Sequence, residues 1–179
     1  MPLGNVDLRS DRTRSPEAFL IDSPEACHAY AWLFRHGPAT VATYVETVDV
    51  NERQARLVVN RLHAHGLVQE TDGEYEADPI HAVVEDVHVT PGVAAVLAKQ
   101  LENYAVQKLV RRHGALPLAR AVECWPRIQH DTLESRQVGE LLGIGQHDGV
   151  TATNALRAIE DYLALDPYLD EIPRDGTKQ

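Results

Sequence analysis

From Ser23 to Pro79 the apolar residues change their spacing in a fixed order, and each change predicts an element. Helical spacing behind Ser23, a good N-cap, predicts a helix from Ser23 to His36; a short helix follows from Ala39 to Val48, and Asp49 and Val50 make a tight turn. Asn51 is a second N-cap, with Gln54 at the capping-box position three residues on, so the next helix, Asn51 to His65, has its start specified twice before Gly66 stops it. Within it Ala55, Val58, Val59 and Leu62 fall at i, i+3, i+4 and i+7 and form one buried stripe. Leu67 to Glu70 and Glu74 to Ala77 are short strand-competent runs around Asp72-Gly73, a pair suited to a two-residue turn with positive φ at both positions, and Pro79 ends the second run.

The third helix carries the candidate chemistry. Turning about 100° per residue from its stripe, Arg53, Leu57, Asn60 and Ala64 lie opposite the core, with Arg56 and Arg61 on the flanks. Arginine can hold guanine O6 and N7 with two hydrogen bonds, asparagine can do the same for adenine, and an arginine that misses a base still holds a phosphate. Asn51, Arg53, Gln54, Arg56, Leu57, Asn60 and Arg61 are therefore the candidate DNA-contact residues. The competing reading is an ordinary solvated face.

The run from Val41 to Ala77, with Arg61-Leu62-His63-Ala64-His65-Gly66-Leu67-Val68 at its centre, resembles the winged helix-turn-helix regulators of the MarR and ArsR type. That resemblance covers about a third of the chain and rests on spacing. It implies a homodimer whose third helices enter successive major grooves of double-stranded DNA, with the wing tips, here Thr71, Asp72 and Gly73, against the flanking backbone. The wing departs from such a role in carrying Glu70, Asp72, Glu74 and Glu76 and no lysine or arginine.

Beyond Pro79 the residues from Ile80 to Val89 alternate weakly and read as an extended connection, and Thr90, Pro91 and Gly92 announce another helix. The expected span of that helix, Val93 to His113, is the longest in the chain. Val93, Val96, Leu97, Leu101 and Tyr104 form a stripe, and Ala105, Val106, Leu109 and Val110 widen it around most of the circumference. Such a helix packs on two sides, which assigns Val93, Leu97, Leu101, Tyr104 and Leu109 to a two-fold interface; the alternative is the central helix of a monomeric helical domain.

A helix from Leu116 to Trp125, stopped by Pro126, comes next. Thr132 to Leu142, the turn Gly143-Ile144-Gly145 and a helix from Val150 to Leu165 then repeat the earlier pattern, with Ala152, Ala155, Leu156, Ile159 and Leu163 on one stripe. Only one arginine, Arg157, stands among its outward residues Thr151, Asn154, Ala158 and Asp161, so packing or partner binding is expected there rather than DNA contact. Arg9, Arg12 and Arg14 lie in an arm read either as frayed or as a minor-groove contact. The expected organisation is a mainly α chain with a small β-hairpin wing. Residues 1–22 form a flexible arm, 23–89 a winged helix-turn-helix, 90–166 a helical dimerisation or effector domain, and 167–179 a fraying tail.

Charge changes this picture in one respect. The chain has 17 basic and 27 acidic residues, a net charge of −10, and three lysines against 14 arginines. Acidic, lysine-poor and rich in alanine and valine, it has the look of a protein from a salt-loving archaeon. At molar salt the screening length is about 3 Å, so acidic wing residues repel phosphate weakly, and an unusually shallow dependence of DNA binding on salt is expected. The acidity also keeps open a second function, a winged-helix module that docks other proteins of the archaeal transcription machinery without reading bases.

Other classes find little support in the residues. There is no Gly-rich phosphate loop and no GxSxG, and Gly143-Ile144-Gly145 lacks the preceding strand that a dinucleotide turn needs, so no enzyme and no cofactor are expected. His63 and His65, two apart on a helix, point apart, and no metal-ligand spacing appears. Cys27 and Cys124 read as small buried hydrophobes. No apolar stretch is long enough to cross a bilayer, and the expected location is cytoplasmic, away from membranes.

Overall fold

Helix α2 (Pro24–His36) is the post around which the described residues, 15–170 of this computed structural model, are arranged. Ser23 starts it by accepting a hydrogen bond from the Ala26 amide at 3.2 Å, and Ala26, Cys27, Ala29, Tyr30, Ala31, Trp32 and Leu33 are buried. Against it lies α5 (Pro91–Ala98), every residue of which is buried. A helix apolar on all sides needs such surroundings. One continuous core thus runs from α1 (Pro16–Asp22) to Leu163, across the expected boundary at 89/90.

On one side of α2 stand α3 (Val41–Val48) and α4 (Glu52–Ala64). Thr40 caps α3, and Asp49 in the left-handed conformation, φ 51°, turns the chain into α4. The antiparallel hairpin β1 (Val68–Thr71) and β2 (Glu74–Ala77) follows, closed at Thr71 opposite Glu74 by Asp72 and Gly73 with φ of 54° and 85°. Glycine is needed in that second position because a left-handed φ crowds any Cβ. Ala39 exchanges backbone hydrogen bonds with Tyr75, at 3.0 and 2.8 Å, tying the entry of α3 to the hairpin.

The remainder is helical apart from one further hairpin. Helices α6 (Tyr104–His113), α7 (Ala115–Ala121), α8 (Trp125–Gln129), α9 (Ser135–Leu142), α10 (Gln146–Arg157) and α11 (Glu160–Leu163) complete the chain. Arg35 of α2 pairs with Asp161 and lies 4.9 Å over the Tyr162 ring, which draws α11 back onto α2. None of the described helices is long and apolar enough to cross a membrane. Cys27 and Cys124 are buried and unbridged; burial raises both thiol pKa values, that of Cys124 to about 11.

Several expectations are corrected. Residues 16–22 of the flexible arm form α1, held by Ser15 at its N-cap and by burial of Phe19, Leu20 and Ile21; Arg9, Arg12 and Arg14 lie outside the described residues. Ile80 to Val89 is a second hairpin, β3 (Ala82–Val84) and β4 (Val87–Val89), turned by Glu85 and Asp86 at φ 49° and 63°. The single helix Val93 to His113 is two helices. A 3-10 turn, Lys99–Leu101, ends the first, and Asn103 starts the second by accepting from the amides of Ala105 and Val106 at 3.0 and 3.2 Å.

Pro126 does not stop a helix; it sits in the first turn of α8, where its missing N–H costs nothing. The last long helix begins at Gln146, earlier than Val150, and ends at Arg157, with α11 separate. Asp166, the last residue before the expected fraying tail at 167–179, is buried and accepts from the Gly92 amide at 2.8 Å. The rest of that tail, residues 171–179, falls outside the described residues.

Candidate nucleic-acid interface

Helix α4 is built as its residues dictate. Asn51 Oδ1 accepts from the Gln54 amide at 3.2 Å, and Ala55, Val59 and Leu62 are buried while Val58 is half-buried. Pinning that stripe leaves the opposite face in solvent. Asn51, Arg53, Gln54, Arg56, Leu57 and Asn60 are all exposed, and Leu57, at 54% exposure, is an aliphatic side chain with no packing reason to stand there.

The three arginines are not equivalent. Arg53 makes no hydrogen bond or ion pair among the described residues. Arg56 is held by Glu52 one turn earlier, its Nε and one terminal nitrogen donating to the same carboxylate oxygen at 2.9 and 2.7 Å. Both partners are more than half exposed, so the pair is worth about 0.5 kcal/mol and yields readily to a phosphate or a base. Arg61 is half-buried and lies 4.9 Å from the centroid of the Phe19 ring, on which His65 also stacks at 4.5 Å. It serves the packing of α1, a role that local patterning could not signal because Phe19 is 42 positions away.

Thr71, Asp72 and Gly73 occupy the exposed tip of the first hairpin. Around them Gln69, Glu74, Glu76 and Asp78 line a shallow acidic recess with Pro38. The Gly73 amide, which could meet a phosphate, is instead taken by Glu70 Oε1 at 3.1 Å. This surface repels nucleic acid at low ionic strength.

The expected two-fold interface divides. Val93, Leu97 and Leu109 are 1%, 1% and 0% exposed within a single chain, already covered by its own helices, and this corrects their assignment to contact with a second copy. Leu101 and Tyr104, at 48% and 66%, do face outward, on either side of the break that the sequence did not signal. Among the described residues no group of three or more metal-ligating side chains converges. No protein-family model, curated protein or solved structure matches the chain.

Proposed function

We propose that the chain is a sequence-specific DNA-binding regulator in which α4 is the recognition helix of a winged helix-turn-helix and the hairpin β1–β2 is its wing. The observation that carries this reading is the solvent-facing set Arg53, Arg56, Leu57 and Asn60 on a helix whose opposite side is sealed in the core. A helix of that diameter fits a major groove, guanidinium and amide groups read guanine and adenine, and an outward leucine can meet a thymine methyl. Binding as a homodimer would bring two such helices to successive half-sites. Of the residues expected at that interface, Leu101 and Tyr104 remain available to it.

Selecting duplexes from a random pool, then measuring affinity by fluorescence anisotropy, tests the proposal. A converging site is expected, with Arg53→Ala weakening it about tenfold and relaxing preference at one base pair. Failure of the pool to converge at any salt concentration would overturn it.

One observation favours a second reading. The hairpin tip is acidic and its amide is occupied by Glu70, which suits a winged-helix module docking a basic protein surface of the transcription machinery. In that case Arg53→Ala leaves nothing to weaken, and reversing Glu74 and Glu76 to lysine abolishes co-purification of the partner.

A further inference from the structure

Between α2, α3 and the start of α4 the surface opens into a cavity of about 340 Å3. Tyr44, Val50, Val58 and Leu101 line it with apolar surface, and Glu25, His28 and Gln54 contribute polar atoms. Leu101 is reached from the turn after α5, so the walls come from both halves of the chain. Its size falls at the lower end of small-molecule sites, enough for one ring or a short aliphatic body.

The polar groups fix the sign of the occupant. Glu25 makes no hydrogen bond or ion pair among the described residues and stands at the wall as a free carboxylate. His28 Nδ1 lies 2.7 Å from the Tyr44 hydroxyl, and burial, with a smaller contribution from Lys99, lowers its pKa against the pull of Glu102, so the ring is neutral near pH 7. Lys99 donates to Glu102 at 3.2 Å. The cation near the cavity is thus paired, and the carboxylate at the wall sits in the first turn of α2 with no side-chain partner among the described residues.

We propose that this cavity binds a small organic cation, an ammonium group on a one-ring or short aliphatic body, with Glu25 meeting the charge and Tyr44, Val50, Val58 and Leu101 covering the body. The site shares Gln54 with the proposed DNA-reading face and Leu101 with the proposed interface, but ligand binding there needs only the cavity and its carboxylate and can be tested without DNA. It would place a ligand against the first turn of α4, through Gln54, and against the 3-10 turn that joins α5 to α6.

Titration of the full chain with 2-phenylethylammonium, 2-phenylethanol and phenylacetate at constant ionic strength, followed by amide chemical shifts, decides the matter. The ammonium compound is expected to shift residues around Tyr44, Val58 and Leu101 and to bind about fivefold tighter than the alcohol, the scale of an exposed ion pair, with the anion weakest. Glu25→Gln should bring the ammonium compound to the level of the alcohol and leave the alcohol unchanged. Shifts confined to other regions, equal binding of all three compounds, or a Glu25→Gln chain that still prefers the ammonium would each overturn the proposal.

Discussion

Two helix-turn-helix pairs in this chain are held together by opposite means. In α3–α4 the contact is made by side chains, with Val41, Tyr44, Ala55, Val59 and Leu62 buried, and the outer surface of α4 is left to arginine and amide groups. In α9–α10 it is made by backbone. A Cβ on Gly149 would lie 2.3 Å from the Gly139 nitrogen and 2.5 Å from its Cα, and one on Gly139 would in turn meet the Gly145 backbone, so both positions need glycine. Deep burial follows: α10 buries Asp148, Gly149, Ala152, Thr153, Ala155 and Leu156 and exposes Arg157 as its only arginine. The same outline therefore yields a helix that presents a surface in one case and a structural strut in the other. What separates them is how much of the helix the packing consumes.

The largest effect that would test this contrast is expected at the glycine contact. Gly149→Ala puts a methyl group into backbone that cannot retreat as a side chain could, and should cost about 3 kcal/mol or more, a fall of roughly 6–12 °C in the thermal midpoint. Ala55→Gly, the matching trim in the other pair, should cost only about 1 kcal/mol. Circular dichroism melts of both variants check this, and equal losses would mean that the two pairs are held alike.

A smaller effect is expected from the charge that ties α10 to α6. Asp148 accepts from Arg112 at 2.7 Å and His113 at 2.8 Å, an acid in the first turn of one helix facing bases in the last turn of another, as both helix dipoles favour. Burial pushes the Asp148 carboxyl up, but the hydrogen bonds from His113 and Arg112 outweigh it and hold the pKa below its ordinary 3.8. A depressed carboxyl stabilises the fold above its unfolded pKa and loses that contribution as pH falls through the folded one. Asp148→Asn should accordingly cost about 1–2 kcal/mol near neutrality, and the gap to the unaltered chain should close below the ordinary value. Denaturant melts at a series of pH values measure it.

The smallest expected effect, and the one with most to say about function, is on DNA affinity. Where Arg53→Ala weakens binding about tenfold, Arg157→Ala, at a comparably exposed position on α10, should leave it unchanged within about twofold. A loss at Arg157 equal to that at Arg53 would make the second pair a DNA-binding surface as well.

What the sequence disclosed follows the range of the interactions. Asn51 and Gln54, the stripe Ala55, Val59 and Leu62, and the turn Asp72-Gly73 act over one to seven residues, and the structure reproduces all three. Most of the candidate contact residues could be placed on the exposed face of α4 for that reason. Long-range effects were hidden. The burial of α1 depends on Phe19 meeting Arg61 and His65, and the split between α5 and α6 depends on Asn103 acting as a cap within a run that otherwise reads as continuous helix. The turn at Glu85 and Asp86 opens with a glutamate, a residue that rarely adopts positive φ, and has no glycine, so its local preference did not announce it. At the candidate site, the diversion of Arg61 and the carboxylate grip on Gly73 were equally silent.

Thr90 precedes α5 but offers it no side-chain bond; its fully buried hydroxyl has no partner among the described residues. The acceptor comes instead from Asp166, which reaches across 74 positions to the Gly92 amide and also takes the amide of Tyr168 at 3.0 Å. The buried helix α5 is thus latched by a residue near the far end of the described chain. Without that carboxylate the Gly92 amide in the first turn of α5 would lose its acceptor, so a group beyond the last helix closes the start of a buried one, beside the flank that Leu163 covers.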